Sequence, residues 1–165
     1  METKKTILIG CGTLLGVVFI LILIGIIWLI TGPEGGVRLP IDMEEYALEY
    51  LDTHKILEDS EELLAYYDVT VSLDGSEAAI LTTKRVIYHK NGRNNAMNLA
   101  DVEDIQHRKE TLIGDIFEIS TASGKTMKIE IAPLNQGETF KNVLMKAWER
   151  AKKQDQDSEP GNPSN

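Results

Sequence analysis

The residues of this 165-residue chain that carry reactive or ligating groups occur in four settings. Ser123-Gly124-Lys125-Thr126 ends like a phosphate-binding loop. Such a loop has a glycine five residues before its Gly-Lys pair and opens a helix, so that backbone N–H groups cradle phosphate. Ile119 stands at the glycine position and a strand-like alternation follows, so these residues read as a hairpin turn. The three histidines, His54, His89 and His107, have no second ligand at metal-like spacing and read as surface or helix-edge side chains. Serines and aspartates are plentiful, but no G-x-S-x-G elbow holds a serine for attack. Glu44-Glu45 and Glu61-Glu62 read as solvated faces. The single cysteine, Cys11, lies inside an apolar run, which leaves the polar remainder without a disulfide, a thiolate zinc site or a thiol nucleophile. The expectation is no catalytic residue, no cofactor and no metal.

The fourth setting is basic. Lys84 and Arg85 fall at a predicted turn, and His89, Lys90 and Arg93 lie around the next one. Together they form a candidate docking patch for an acidic partner, set against the plainer reading of solubility and hairpin chemistry. The chain as a whole carries a formal net charge of −9. Its N-terminal tail holds Glu2, Lys4 and Lys5, so the acidic excess lies in the rest. An acidic domain is repelled by nucleic acid and by anionic headgroups, so no nucleic-acid partner is expected.

The elements that position these residues begin with a membrane segment. Ile7 to Ile30 contains 24 residues and no charge, and 17 of them are Ile, Leu, Val or Phe. As a helix it is roughly 36 Å long, against a hydrocarbon core of about 30 Å. Trp28 sits near one end, where an indole prefers the headgroup level. No small-residue cleavage pattern follows the run, and Leu8-Ile9-Gly10-Cys11 precedes most of it, unlike a lipobox. Lys4 and Lys5 outweigh the lone Arg38 beyond the other end, which predicts a cytoplasmic N-terminus and an extracytoplasmic domain. Gly12-Thr13-Leu14-Leu15-Gly16 is a G-x-x-x-G and permits a helix-mediated homodimer. Residues 1–6 read as a cytoplasmic tail and 31–40, with three glycines and two prolines, as a linker.

A helix is predicted over 41–57. Asp42 and Glu45 form a capping pair, and Met43, Tyr46, Ala47, Tyr50, Leu51 and His54 share a face. The period then changes to two. Tyr67, Val69, Val71 and Leu73 alternate with polar residues, and Asp74-Gly75 signals a turn. Strand-like runs follow at Glu77 to Thr83, Arg85 to Lys90, Ala96 to Leu99, Asp104 to Lys109, Ile116 to Thr121, and Met127 to Ile131, with turns at Asn91-Gly92 and Ser123-Gly124. Asn135 reads as the N-cap of a closing helix whose apolar stripe is Phe140, Val143, Leu144, Ala147, Trp148 and Ala151. Residues 154–165 are polar and rich in breakers, and read as a disordered tail. About seven short strands with frequent turns indicate a small barrel or sandwich, so the fold class is one transmembrane helix plus an α+β, mainly-β domain.

The stretch Ala78-Ala79-Ile80-Leu81-Thr82-Thr83-Lys84-Arg85-Val86-Ile87-Tyr88 resembles the second hairpin of bacterial pleckstrin-homology-like (PH-like) and GRAM-like domains. There an apolar strand ends in Thr-x-x-Arg and another resumes. Leu99-x-x-Val102-x-x-Ile105 resembles their next segment, and Phe140 to Trp148 their closing helix. The resemblance covers roughly Leu57 to Lys153. It implies a seven-stranded barrel over 58–153 closed by a C-terminal helix, with an additional helix before it. Phosphoinositide-binding members of the wider superfamily use basic residues around the first hairpin loop. Here that loop, Ser72 to Glu77, has two acids and no base. The expected function is a membrane-tethered protein-interaction or scaffold module of the bacterial cell envelope. The alternatives are a peripheral lipid-contacting module using the basic hairpin and, third, an enzyme with an unrecognised site.

Overall fold

The computed structural model describes residues 16–24 and 35–158. The chain divides into two compact units, Met1–Glu34 and Gly35–Asn165. In the first, residues 16–24 are helical (α1). Among the described residues no helix is long and apolar enough to cross a membrane. The rest of the predicted span, with Cys11, Gly12 and Trp28, lies outside the described residues, as do the 1–6 tail and residues 31–34 of the linker.

The second unit holds two antiparallel sheets. Strands β1 (Val37–Arg38), β2 (Leu63–Asp68), β3 (Glu77–Thr82), β4 (Arg85–Lys90) and β5 (Arg93–Asn98) form one in sequential order. Strands β6 (Val102–Glu110), β7 (Gly114–Thr121) and β8 (Thr126–Ile131) form the other. Strands β3 to β8 coincide with six of the seven predicted strand-like runs, β2 lies earlier in the chain than the first predicted run, and β1 is a two-residue addition paired to β2 through Val37 and Tyr67. Local chemistry sets much of the register. Asn91 and Gly92 take φ of 48° and 75°, the two left-handed residues of a type I′ turn, and so pair Lys90 with Arg93.

The main core lies where inward residues of both sheets meet α3 (Gly137–Ser158), with Phe117, Ile129, Phe140 and Leu144 fully enclosed. A second cluster lies on the opposite face of the first sheet. There Ala47 and Leu51 of α2 (Glu45–Thr53), with Ile56, cover Tyr66, Ala78, Ile80 and Ile87. Sheet one is thus buried on both faces at its centre, along β2 and β3. That is why β3 reads Ala-Ala-Ile-Leu without alternation, and five of its six residues are buried.

Several expectations need correction. The Tyr67–Leu73 alternation is not a strand: β2 ends at Asp68, and Val71 is 94% exposed. The Asp68 carboxylate takes the N–H groups of Thr70 and Gly75 and folds the chain into a loop. The helix predicted over 41–57 is preceded by a separate 3-10 turn at Pro40–Asp42 and spans Glu45–Thr53, with Glu44 at the N-cap and no side-chain cap. Asn135 is not the cap of α3. Gln136 O accepts the first helical bonds, from Thr139 and Phe140, while Asn135 Nδ2 donates to Tyr67 Oη at 3.1 Å. Residues 154–158 continue α3, because no breaker precedes Pro160 and the helix propagates from its packed turns. Residues 159–165 lie outside the described residues. Trp148 is half-buried, with its indole N–H on Val102 O at 3.0 Å. Residues 35–40, read as linker, already pack on the domain: Val37 is buried and its N–H meets Asn135 O.

Candidate functional site

The five basic-patch residues do not form one surface. Along β4, Arg85 and His89 point to one face of the sheet and Lys90 to the other, because strand side chains alternate. Arg85 makes a bidentate pair with Glu61, both bonds at 2.6 Å, and reaches Glu58 at 3.2 Å and Ile56 O at 3.3 Å. The Glu61 side chain is fully enclosed. Burial pushes its carboxyl up, but hydrogen bonds from Arg85, the Glu58 N–H and Thr82 outweigh that and hold it below its ordinary value. Thr82 Oγ1 accepts the N–H groups of Lys84 and Arg85 at 3.1 and 2.8 Å. The Thr-x-x-Arg signature is therefore a turn clamp that ties the 56–61 connection to the β3–β4 turn. Lys84 Nζ meets Ser60 Oγ at 2.6 Å, and Lys90 pairs with Glu77 at 3.0 Å. Arg93 is exposed.

His89 is not a surface residue. It is 1% exposed, with Nδ1 at 2.6 Å from Asn94 Oδ1 and Nε2 at 3.0 Å from Tyr50 Oη. In a neutral ring, a proton on Nδ1 facing the Asn94 carbonyl oxygen leaves Nε2 to accept from the Tyr50 hydroxyl. Tyr50 in turn stacks on His54 with ring centroids 3.9 Å apart. The imidazole joins α2 to β4 and β5.

Two carboxylate networks escaped the sequence reading. Asp68 accepts from Thr70 N–H at 2.8 Å, Gly75 N–H at 2.8 Å, Thr70 Oγ1 at 2.5 Å, Tyr46 Oη at 3.3 Å and Tyr66 Oη at 3.4 Å. Burial and then the Asp68 charge push the Tyr46 and Tyr66 phenols well above their ordinary value. Gly75 has φ of 75°, and a Cβ there would lie 2.8 Å from the Tyr50 ring. The neighbouring Asp74 is exposed, and hydrogen bonds from Ser76 and Ser72 hold it at about 2. The first hairpin loop therefore keeps its negative charge under physiological conditions.

The second network joins His107 Nε2 to Asp115 Oδ1 at 2.8 Å, with Glu138 near enough that one atom of each lies within 4.8 Å of the others. That donor set fits a divalent cation in type. Positive charge already surrounds it, however. Lys109 Nζ is 4.0 Å from Asp115, Lys141 Nζ is 3.1 Å from Glu138, and the positive end of the α3 dipole begins at Gly137. A Cβ at Gly137 would lie 2.5 Å from Asp115 Cγ, so glycine is what lets the carboxylate close on the helix start. Sequence spacing offers no signal for a cluster drawn from β6, β7 and α3. An open groove of about 320 Å³ on the second sheet is lined by Asp104, Gln106, Ser120, Thr126 and Lys128, with Glu118 committed to Arg108 at 2.5 Å.

Compared with known protein families, residues 57–145 match the bacterial PH domain. The chain belongs to this family. The match takes in β2 to β8 and the first turns of α3, so the two sheets and their packed C-terminal helix are the PH domain. No curated protein matches the chain. Helix α2 precedes the matched residues and adds a cover to the outer face of the first sheet of the PH domain. Membership speaks to fold, because one fold of this kind hosts many roles.

Proposed function

We propose that the protein is a membrane-tethered PH-domain module that binds another protein at the bacterial cell envelope. The observation that carries this reading is the union, in one chain, of the charge-free run Ile7 to Ile30 and a compact unit from Gly35 onward that contains the PH domain and already packs at Val37. Four residues, 31–34, separate the two, so a tethered domain stays at the bilayer surface. An interaction role is favoured over basic-hairpin lipid binding because Arg85 and Lys90 are paired with Glu61 and Glu77. Lys4 and Lys5 support an extracytoplasmic domain.

The test is fractionation with in-membrane photo-crosslinking. The full chain is expected in the membrane pellet after alkaline carbonate, and residues 35–165 alone in the supernatant. Photo-reactive groups at exposed positions of β5 and β6, such as Asn95 and Glu103, are expected to give adducts of discrete mass. A full chain in the supernatant would remove the tether. An absence of adducts from every face of the domain would remove the interaction role.

A further inference from the structure

Of the six large apolar side chains exposed among the described residues of the second unit, four lie in loops that approach one another, and the other two, Ile41 and Leu48, lie in the 3-10 turn and α2. Leu112 is 91% and Ile113 41% exposed in the β6–β7 turn, Leu134 is 100% exposed between β8 and α3, and Val71 is 94% exposed in the β2–β3 loop. Backbone packing brings these segments together. Gly114, next to Ile113, lies so close to 131–133 that a Cβ on it would stand 2.7 Å from the Ala132 carbonyl carbon. A Cβ at Gly35 would stand 3.8 Å from Asn135 Nδ2 and 3.9 Å from Leu73 Cδ2, which joins the β8–α3 connection to the β2–β3 loop. Two leucines here also hold left-handed backbone, Leu134 at φ 71° and Leu73 at φ 49°. A bulky residue in that conformation is costly, and a fully exposed leucine in it has no packing to offset the cost.

The place where the chain enters is the guide to what could cover this end. Gly35 packs at it, and five residues upstream the apolar run ends at Ile30. Five residues reach at most about 18 Å. Carboxylates bordering the tips have partners: Glu110 meets Arg108 at 3.0 Å, and Glu138 meets Lys141 at 3.1 Å. Asp74 stays charged in the β2–β3 loop near Val71, which sets that loop apart from the tips at Leu112, Ile113 and Leu134. Resting on the tethered reading above, we infer that this loop end is a lipid-facing surface. Leu112, Ile113 and Leu134 enter the acyl boundary of the bilayer that holds the anchor. Because the contact is apolar, it requires neither anionic lipid nor low salt, unlike a basic hairpin. It fixes the orientation of the PH domain and turns its opposite end, with the β7–β8 turn, away from the membrane. The strand β7 places those two ends roughly 24 Å apart.

The test uses the full chain carrying Cys11→Ser, with single labelling sites at Leu112→Cys, Leu134→Cys and, in the β7–β8 turn, Ser123→Cys. Each is coupled to an environment-sensitive dye and reconstituted into neutral phosphatidylcholine vesicles containing a quencher-bearing lipid. Flotation of the same samples reports the tether. Loss of fluorescence at 112 and 134, with none at 123 and no change between low and high salt, is the expected result. A chain that floats while 112 and 134 remain open to aqueous iodide overturns the lipid-facing surface and leaves the tether standing. A chain that does not float overturns both. Shielding from iodide without lipid quenching also overturns the proposal, in favour of a second copy or another protein on this end.

Discussion

A buried carboxylate lies at each end of strand β2, and the two are stabilised by different means. Glu61, two residues before the strand, meets a cation: Arg85 grips both its oxygens at 2.6 Å. Asp68, its last residue, accepts five hydrogen bonds from amide and hydroxyl donors of Tyr46, Tyr66, Thr70 and Gly75. The first arrangement ties the 56–61 connection to the β3–β4 turn. The second folds the β2–β3 loop and draws α2 onto the sheet through Tyr46. The contrast shows that charge counted along a sequence is a poor guide to charge available for a partner. Arg85, one of the cations of the predicted docking patch, is a structural clamp.

The comparison can be broken most severely at Asp68. Asp68→Ala leaves the part-buried N–H of Thr70, the buried N–H of Gly75 and two tyrosine hydroxyls without their acceptor. It is expected to lower stability by at least about 3 kcal/mol in chemical denaturation. Asp68→Asn keeps one acceptor oxygen and should cost clearly less. Equal losses for the two would show that the negative charge, and not hydrogen-bond acceptance, holds the loop.

Removing the Glu61 partner is expected to cost less, about 2–3 kcal/mol for Glu61→Ala, because Arg85 retains Glu58 and some solvent. Arg85→Lys should recover only part of an Arg85→Ala loss, since an ammonium cannot reproduce the two-pronged contact. The double change Glu61→Leu with Arg85→Met should lie much closer to wild type than either single change predicts. Additive losses in that cycle would deny the coupling.

Stability against pH sharpens the contrast further. Glu61 has a folded pKa below its unfolded value of about 4.5, so its contribution is fully present above that value and is lost as pH falls through the folded one. Tyr46 and Tyr66 have folded pKa values above 10.0, so the contribution of the Asp68 network is present below pH 10 and fades as pH rises beyond it. Denaturation midpoints across pH should show both limbs. Glu61→Gln should flatten the acid limb and Tyr66→Phe the alkaline one; limbs that persist unchanged would assign them to other groups. The smallest effect concerns a third carboxylate, Asp115. Its His107 contact and surrounding positive charge predict no concentration-dependent rise in Tm on adding zinc. A rise abolished by His107→Ala would make the cluster a metal site.

Local patterns were legible where local chemistry decided. The β4 bounds, the Asn91-Gly92 turn, the alternation of Met127, Ile129 and Ile131, and the Phe140–Leu144–Ala147 stripe all appear where the period and turn residues put them. The same rule misread Tyr67 to Leu73, because alternation persists in sequence even where a side chain ends the strand. It missed the buried state of His89 for a related reason. What encloses the ring is α2, which meets β4 through Tyr50, 39 residues away in sequence.

By itself, then, the sequence determined most of the elements, their order, the family resemblance that the comparison bears out over 57–145, and the presence of a long charge-free run. These depend on composition and on spacings within a turn or a hairpin. Only the tertiary structure decided which charges are free, which carboxylates are buried, and which loops share an end. Arg85 and Glu61 lie 24 residues apart, and Trp148 reaches Val102 across 46. Gly114 and Gly137 are glycines because backbone or carboxylate from another element occupies the space a side chain would need. Such pairings arise when separate sheets and helices close on a common core, and no local period encodes them.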